Sequence, residues 1–203
     1  MVHYLSALHN LERLLKTMRP GAVGHSQEYT FSSWASGMVT FTFRTDEWIE
    51  LAKSTGSGAI SSPEATPLMT LNALTGTALA AVQEHDVVTA QERRPQLRPF
   101  LRLGLRVLPG INRLLGLLKW TAGEFDEAVN EFEEAQAYCR QIGCRPELAW
   151  TLHDYADMLL ERDANGDREK ATAILDESLQ ISTELGMRPL MDRVRAMRDG
   201  LGA

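Results

Sequence analysis

The side chains best suited to chemistry lie between His153 and Glu161. His153, Asp157 and Glu161 are spaced four residues apart, and Asp154 follows His153 directly. On a helix, the i, i+4 spacing makes His153 and Asp157 neighbours, and likewise Asp157 and Glu161. An imidazole among carboxylates could serve acid–base catalysis, hold a metal ion or contact a ligand. A solvated helix face is the simplest interpretation, and contact with a ligand is the main functional alternative.

Two further motifs are incomplete. Asp163-Ala164-Asn165-Gly166-Asp167 opens like a calcium-binding loop. Arg168 stands where such a loop needs glycine, and Ile174 stands where it needs its final glutamate, so we interpret the segment as a turn. Gly56-Ser57-Gly58 begins like a dinucleotide-binding loop, but Ser61 replaces the third glycine. We therefore interpret Ser54 to Ser62 as a flexible linker.

Catalytic signatures are missing from the sequence. The chain has no G-x-x-x-x-G-K-[ST] segment, which would bind phosphate through backbone N–H groups. The remaining histidines form no recognisable pattern with a nucleophile. Cys139 and Cys144 lie five residues apart, a spacing that suits neither a structural zinc site nor a disulfide framework, so we expect reduced thiols. We predict that the chain is not an enzyme and has no cofactor and no metal site.

An arginine-rich segment precedes the most acidic part of the chain. Arginines recur every four residues at Arg94, Arg98, Arg102 and Arg106. On a helix they would form a ridge that could bind an anionic partner, such as an acidic protein segment, a nucleotide or a membrane surface. They could instead neutralise the acidic residues that follow, from Glu124 to Glu134, within the fold. Pro99 argues against one unbroken helix through this ridge.

Composition and charge exclude several classes of protein. The chain has 203 residues and 44% hydrophobic content, so it can bury a core. Its net charge of −6 argues against direct binding of nucleic acid. The N-terminal residues do not form a secretory signal. Arginines interrupt the most apolar stretch, from Leu97 to Leu118, which argues against insertion into a membrane. We expect a soluble, cytoplasmic protein.

The elements that must position these residues show an internal repeat. Small and large apolar residues follow one order twice, first at Gly116, Ala128, Phe132 and Ala135, then at Ala156, Ala171, Leu175 and Ser178. A weaker third copy has Ala78 and Ala90, so the first small positions are 38 and 40 residues apart. This is the order of a tetratricopeptide repeat, in which two antiparallel helices cross closely at small residues.

Turn and capping residues predict the ends of the helices. Gly143 ends one helix, Pro146 begins the next, and Pro189 opens the last helix. We predict a turn from Asp163 to Gly166 with Asp167 as the cap of the following helix. The weaker copy should begin at Ser62-Pro63-Glu64.

The first third of the chain is less regular. Val2 to Met18 is an amphipathic pattern and predicts a helix. Met38 to Arg44 has strand propensity, but a single strand would have no partner, so we predict a helix there and a short one from Thr45 to Ala52. We divide the chain into an N-terminal helical segment, residues 1–60, and a repeat domain, residues 61–203.

The repeat residues resemble a known family. Stretches typical of it begin at Arg113-Leu114-Leu115-Gly116, Arg145-Pro146-Glu147-Leu148, Asp154-Tyr155-Ala156, Gly166-Asp167-Arg168 and Glu184-Leu185-Gly186-Met187. They are similar to the C-terminal tetratricopeptide-like region of large bacterial signalling proteins that carry a class III adenylyl/guanylyl cyclase domain or a LuxR-type DNA-binding domain with an ATPase module. The resemblance covers about Ser62 to Arg198.

The chain departs from the general repeat in particular positions. Asn112 replaces the usual tryptophan, Lys119 the usual tyrosine and Arg140 the closing proline, and the period is about 40 residues where 34 is usual. We expect these departures to disturb the regular superhelix but to leave a stack of helical hairpins.

The predicted fold is an all-α solenoid of antiparallel helical hairpins with a terminal capping helix. The resemblance implies that a protein or peptide partner binds the concave face made by the first helix of each hairpin, in bacterial signalling or transcriptional regulation. By position this groove would contain Arg113, Leu117, Trp120, Thr121, His153, Asp157, Leu160 and Glu161, whereas Phe132 and Leu175 would be buried. The alternative is a regulatory sensor that binds a small anionic ligand through its arginine-rich segment.

Overall fold

The computed structural model describes residues 46–63, 65–103 and 110–201, and within these ranges the secondary structure is entirely helical. The predicted helices Val2 to Met18 and Met38 to Arg44 lie outside these ranges. The described elements are α1 (Asp46–Ser61), α2 (Pro67–Glu84), α3 (Val87–Leu97), a 3₁₀ helix (Arg98–Leu103), α4 (Ile111–Thr121), α5 (Phe125–Ile142), α6 (Arg145–Arg162), α7 (Asp167–Glu184) and α8 (Arg188–Leu201). These α-helices cover more than half of the chain, as the sequence predicts.

Each helix packs against the next along the chain, and the even-numbered helices also pack against one another in order. Thus α2 contacts α4, α4 contacts α6, and α6 contacts α8. Buried apolar residues form two clusters, one from α1 to α4 and one from α4 to α8. Because α4 supplies Leu114 and Leu118 to the first cluster and Leu117 to the second, it joins the two parts of the core.

The crossing of α4 and α5 follows the predicted steric logic. A Cβ atom at Gly116 would lie 3.1 Å from three ring atoms of Phe132, so only glycine allows this approach without a shift. Phe132 is fully buried and stacks on Tyr155 with ring centroids 5.4 Å apart. Ala128 and Ala135 are buried on the same face of α5. The predicted pattern of small and large residues is therefore confirmed at this crossing.

The equivalent residues of the other copies are also buried. Ala156, Ala171 and Leu175 are completely inaccessible between α6 and α7. The hydroxyl of Ser178 donates a hydrogen bond of 2.8 Å to the carbonyl of Ala149 across these helices. A small polar residue can stand at this crossing because its buried oxygen has a partner.

Helix ends agree with most of the capping signals. Gly143 follows α5 with a φ of +69°, the left-handed conformation that glycine adopts without strain, and α6 begins at Arg145 with Pro146 in its first turn. The predicted cap at Asp167 is wrong, because Gly166 occupies the cap position with a φ of +85° and Asp167 is the first residue of α7. The Asp167 carboxylate instead accepts from the N–H of Ala164 and the guanidinium of Arg162.

Two predictions before α2 are wrong. The segment Ser54 to Ser62 is not a linker, because α1 continues to Ser61 and packs against α2. Its small residues permit close packing: a Cβ atom at Gly56 would lie 2.5 Å from Cγ2 of Thr77. The helix α2 begins at Pro67 after a cap by Thr66, which accepts from the N–H of Met69, and not at Ser62-Pro63-Glu64. A second Ser/Thr-Pro pair, four residues further along, supplies the cap.

Candidate functional site

A groove of about 470 Å³ lies on the face made by α2, α4 and α6, with contributions from the start of α5 and from α8. A volume of this size lies within the usual range of binding pockets. Its lining is Leu79, Val82, Gln83, His85, Leu117, Trp120, Thr121, Gly123, Phe125, His153, Asp154, Asp157, Glu161 and Arg193.

The structure brings six of the eight predicted groove residues together. Leu117, Trp120 and Thr121 line it from α4, and His153, Asp157 and Glu161 line it from α6. Trp120 and His153 share this groove, while Phe132 and Leu175 are fully buried elsewhere.

The other two predicted groove residues, Arg113 and Leu160, lie outside it. Arg113 is only 7% exposed, because its guanidinium is drawn to two buried carboxylates. Leu160 packs against the second apolar cluster. Neither residue is therefore part of the groove lining: Arg113 is paired in the interior, and Leu160 is partly buried against the apolar cluster.

Several lining residues were missed although the repeat contained their signal. An offset of 38 residues places Leu79, Val82 and Gln83 of α2 where Leu117, Trp120 and Thr121 stand in α4. The same register, applied to the weaker copy, would have identified them. Phe125 and Arg193 enter from α5 and α8, and no repeat position marks them.

A buried ion network lies beside the groove. The Arg113 guanidinium donates to Glu147 at 2.7 Å and to Asp154 at 2.6 Å. Glu147 also accepts from the N–H of Gly110 at 2.7 Å, so one carboxylate connects the start of α4 with the start of α6. Each of these charges has a partner, as burial requires.

Asp154 connects this network to the groove. Burial opposes ionisation of its carboxyl, but Arg113 and the hydrogen bond to His153 outweigh burial and lower its pKa to about 2. The Asp154 carboxylate is therefore only an acceptor at neutral pH, and Nδ1 of His153, 2.9 Å away, must be the donor. His153 is held in one tautomer, and its ring also meets Trp150 edge-on, with centroids 5.9 Å apart.

Two groove carboxylates have no cationic partner in the described part of the chain. Asp157 and Glu161 make no ion pair there within 4.0 Å. Asp157 is open to solvent but stands in a concave surface. Its partial burial there raises its pKa, reinforced by the charges of Asp154 and Glu161 and opposed by His153 and Arg193. The α6 side of the groove is thus negatively charged.

The arginine ridge is partly neutralised within the fold. Arg94 pairs with Glu124 at 2.7 Å, and Arg98 pairs with Glu131 at 2.8 Å. Hydrogen bonds from Arg94 and then Lys119 lower the pKa of Glu124. For these two arginines the structure matches the second interpretation, neutralisation of downstream carboxylates. The side chain of Arg102 and all of Arg106 lie outside the described residues.

The described lining of the groove contains one hydroxyl and no thiol. The hydroxyl of Thr121, the one hydroxyl in its described lining, donates to the carbonyl of Leu117. Both cysteines are free thiols outside the groove, and burial raises the pKa of Cys139 to about 11. Among the described residues, no three His, Cys, Asp or Glu side chains converge as metal ligands, and no helix is long and apolar enough to cross a membrane.

Comparisons of the chain with protein-family models, curated proteins and solved structures give no match.

Proposed function

We propose that this chain is a non-catalytic module of tetratricopeptide-like helical hairpins that binds a protein or peptide partner in bacterial signalling or transcriptional regulation. The observation that carries the proposal is the groove, because residues predicted from repeat register in α4 and α6 line one concave surface.

The pattern of helix contacts supports a stack of hairpins. The pairs α2–α3, α4–α5 and α6–α7 each contain the small residues expected at a close crossing, and α2, α4, α6 and α8 pack against one another in order. Such packing puts the first helices of successive hairpins on one face. In this arrangement α8 is the terminal capping helix.

The lining of the groove has the properties of a binding surface. Trp120 is only partly buried, and Leu79, Val82, Leu117 and Phe125 line the same groove. An aromatic side chain in an apolar setting is a frequent anchor of protein interfaces, because it offers a large contact area at a small entropic cost. Polar residues of α6 border this apolar surface, as is usual at the rim of an interface.

The assignment to signalling rests on the resemblance of the repeat residues to the C-terminal regions of cyclase-containing and LuxR-type proteins. The expected partner is therefore a protein of a signalling pathway, which the chain recognises and binds.

The proposal is tested by comparing two truncations of exposed apolar surface. Wild type, Trp120→Ala and Ile142→Ala are immobilised as full chains and used to capture proteins from a bacterial extract, which are identified by mass spectrometry. Ile142 is 49% exposed at the end of α5 and does not line the groove, so it is the matched control. Binding of each captured protein is then measured with purified components.

We expect Trp120→Ala to weaken binding by roughly 30-fold, equivalent to about 2 kcal/mol, and Ile142→Ala to leave it unchanged. Thermal unfolding of each variant separates binding from folding. Full affinity of Trp120→Ala together with a large fall in melting temperature would place Trp120 in the core and remove the functional surface from this groove.

A further inference from the structure

The groove has two chemically different sides. Its apolar side comes from α2, α4 and the start of α5, and contains Leu79, Val82, Leu117, Trp120 and Phe125. Its acidic side comes from α6, where Asp154, Asp157 and Glu161 lie within two helical turns. The one guanidinium in the described lining is that of Arg193, which also lies 5.8 Å over the ring of Trp150. Asp154 is paired with Arg113 behind the groove, so Asp157 and Glu161 are the two carboxylates of the lining that no ion pair with a described residue neutralises.

The polar groups of α6 are mainly hydrogen-bond acceptors. Asp157 and Glu161 make no ion pair with the described residues. His153 is 6% exposed, and its Nδ1 is committed to Asp154. In the neutral ring Nε2 is then an acceptor, and it forms no hydrogen bond with another described residue. A buried acceptor without a partner carries a desolvation cost that a donating ligand would relieve.

We propose that the occupant of this groove is a basic peptide segment of a partner protein, with an apolar side chain against Trp120 and an arginine or lysine against Asp157 and Glu161. This inference rests on the proposed function and specifies its ligand. A guanidinium or ammonium group supplies donors only, which complements a surface of acceptors. The apolar and acidic sides are separated by roughly the distance between packed helices, about 8–10 Å. We therefore expect the apolar side chain and the cation to be within a few residues of each other in the peptide.

The acidic side is unfavourable for the free protein, which supports a role in binding. Burial and the charges of Asp154 and Glu161 raise the pKa of Asp157, so its carboxylate is less favourable in the empty groove than in water. Replacing this carboxylate by a neutral amide should therefore not lower stability, whereas it removes half of the unpaired negative charge. If Asp157 served folding alone, the same replacement would lower stability and leave peptide binding unchanged.

A random dodecapeptide library displayed on phage is selected against the full chain, with Trp120→Ala used for counter-selection. Enriched sequences are synthesised, and their affinities are measured by fluorescence anisotropy at low and high salt. The acidic variants are Asp157→Asn and Glu161→Gln. Their matched controls are Asp199→Asn and Glu134→Gln, which change exposed carboxylates outside the groove.

We expect enriched peptides to carry arginine or lysine within a few residues of an aromatic or aliphatic side chain. Each acidic variant should weaken their binding by about tenfold, and the controls by less than about twofold. Binding should also weaken as salt rises. Asp157→Asn should melt at the same temperature as wild type or higher.

Two results would overturn the inference in different ways. Peptides that depend on Trp120 but are acidic or uncharged, and bind Asp157→Asn normally, would overturn the basic ligand while leaving the proposed function intact. The same holds if the groove is filled by a second copy of the chain, seen as a concentration-dependent dimer that Trp120→Ala abolishes. Failure to enrich any peptide that depends on Trp120 would count against both proposals.

Discussion

Arg113→Met should be among the most destabilising substitutions in this chain. The side chains of Arg113, Glu147 and Asp154 are 9%, 5% and 12% exposed, so removing the guanidinium leaves two carboxylates buried without a counter-charge. Breaking a buried pair in this way typically costs about 3–5 kcal/mol. The matched control is Arg140→Met, because Arg140 pairs with Glu177 at 2.7 Å but at 46% and 38% exposure. An exposed pair of this kind contributes at most about 1 kcal/mol.

The cost should also depend on pH in a defined direction. The pKa of Asp154 is lowered from 3.8 to about 2 in the folded protein, a difference equivalent to about 2 kcal/mol. A carboxyl with a lowered pKa stabilises the fold above its unfolded pKa, and this stabilisation disappears as pH falls through the folded pKa. Wild type should therefore lose about 2 kcal/mol between roughly pH 4 and pH 2 from this group.

In Arg113→Met the balance at Asp154 changes sign. Burial is the largest influence on this carboxyl and favours its neutral form, so without Arg113 its pKa should rise above the ordinary value. Protonation then relieves the buried charge, and the variant approaches wild type as pH falls. Urea unfolding of both proteins at pH 7 and at pH 3 gives the difference in their free energies of unfolding at each pH. A gap between wild type and variant that is equally large at both pH values would refute the electrostatic account of this network.

Two further predictions concern the helix crossings. Gly116→Ala should lower stability by about 1 kcal/mol, because the new Cβ meets the immobile ring of Phe132 at 3.1 Å and this overpacking outweighs the gain in helix propensity. The control is Gly58→Ala in α1, whose new Cβ would meet nothing within 4 Å and should raise stability by about 0.5–1 kcal/mol in the same denaturant titration. A change of free energy of unfolding with the same sign in both variants would contradict the close approach of Gly116 and Phe132. Ala128→Leu should cost about 1–3 kcal/mol, since Ala128 is fully buried, and an unchanged thermal melt would place it outside an interface.

The helices and their crossings were predictable because local signals and packing agree in the second half of the chain. Gly143 and Pro146 mark helix ends by their backbone conformation alone, which depends little on tertiary structure. Gly116 and Phe132 could be paired from spacing, because a repeat unit has only a few ways to bury its apolar face. Sequence order was therefore sufficient to identify this crossing.

The serine- and glycine-rich end of α1 could not be predicted from composition. Residues typical of a linker are also residues that let two helices approach, as Gly56 does against Thr77. The hydroxyls of Ser57 and Ser61 satisfy themselves locally by donating to the carbonyls of Lys53 and Ser57, one turn earlier. Only the presence of α2 distinguishes the two outcomes, and that is a tertiary effect.

The candidate groove was predictable in part for a related reason. Repeat register gives the face on which a residue stands, and it placed Trp120 and Asp157 correctly on the groove side. It does not give the pairing of charges, which depends on residues more than thirty positions apart. Arg113 has the register of His153, but its partners Glu147 and Asp154 hold it in the interior. Long-range ion pairing is thus the information that spacing lacks.

That same ion pairing connects two of the helices that line the groove. Arg113 belongs to α4 and Asp154 to α6, the two helices that present Trp120 and Asp157 to each other. Apolar residues at the buried positions would often stabilise a fold equally well or better, so stability alone does not explain a charged network there. Arg113 donates from two nitrogens of its planar guanidinium to two carboxylates of α6, Glu147 and Asp154. Because these donors have a fixed relative geometry, the pairing restricts the register of α4 against α6 more narrowly than apolar contacts would. Asp154 in turn accepts from Nδ1 of His153, so the orientation of this groove imidazole depends on a charge buried behind it.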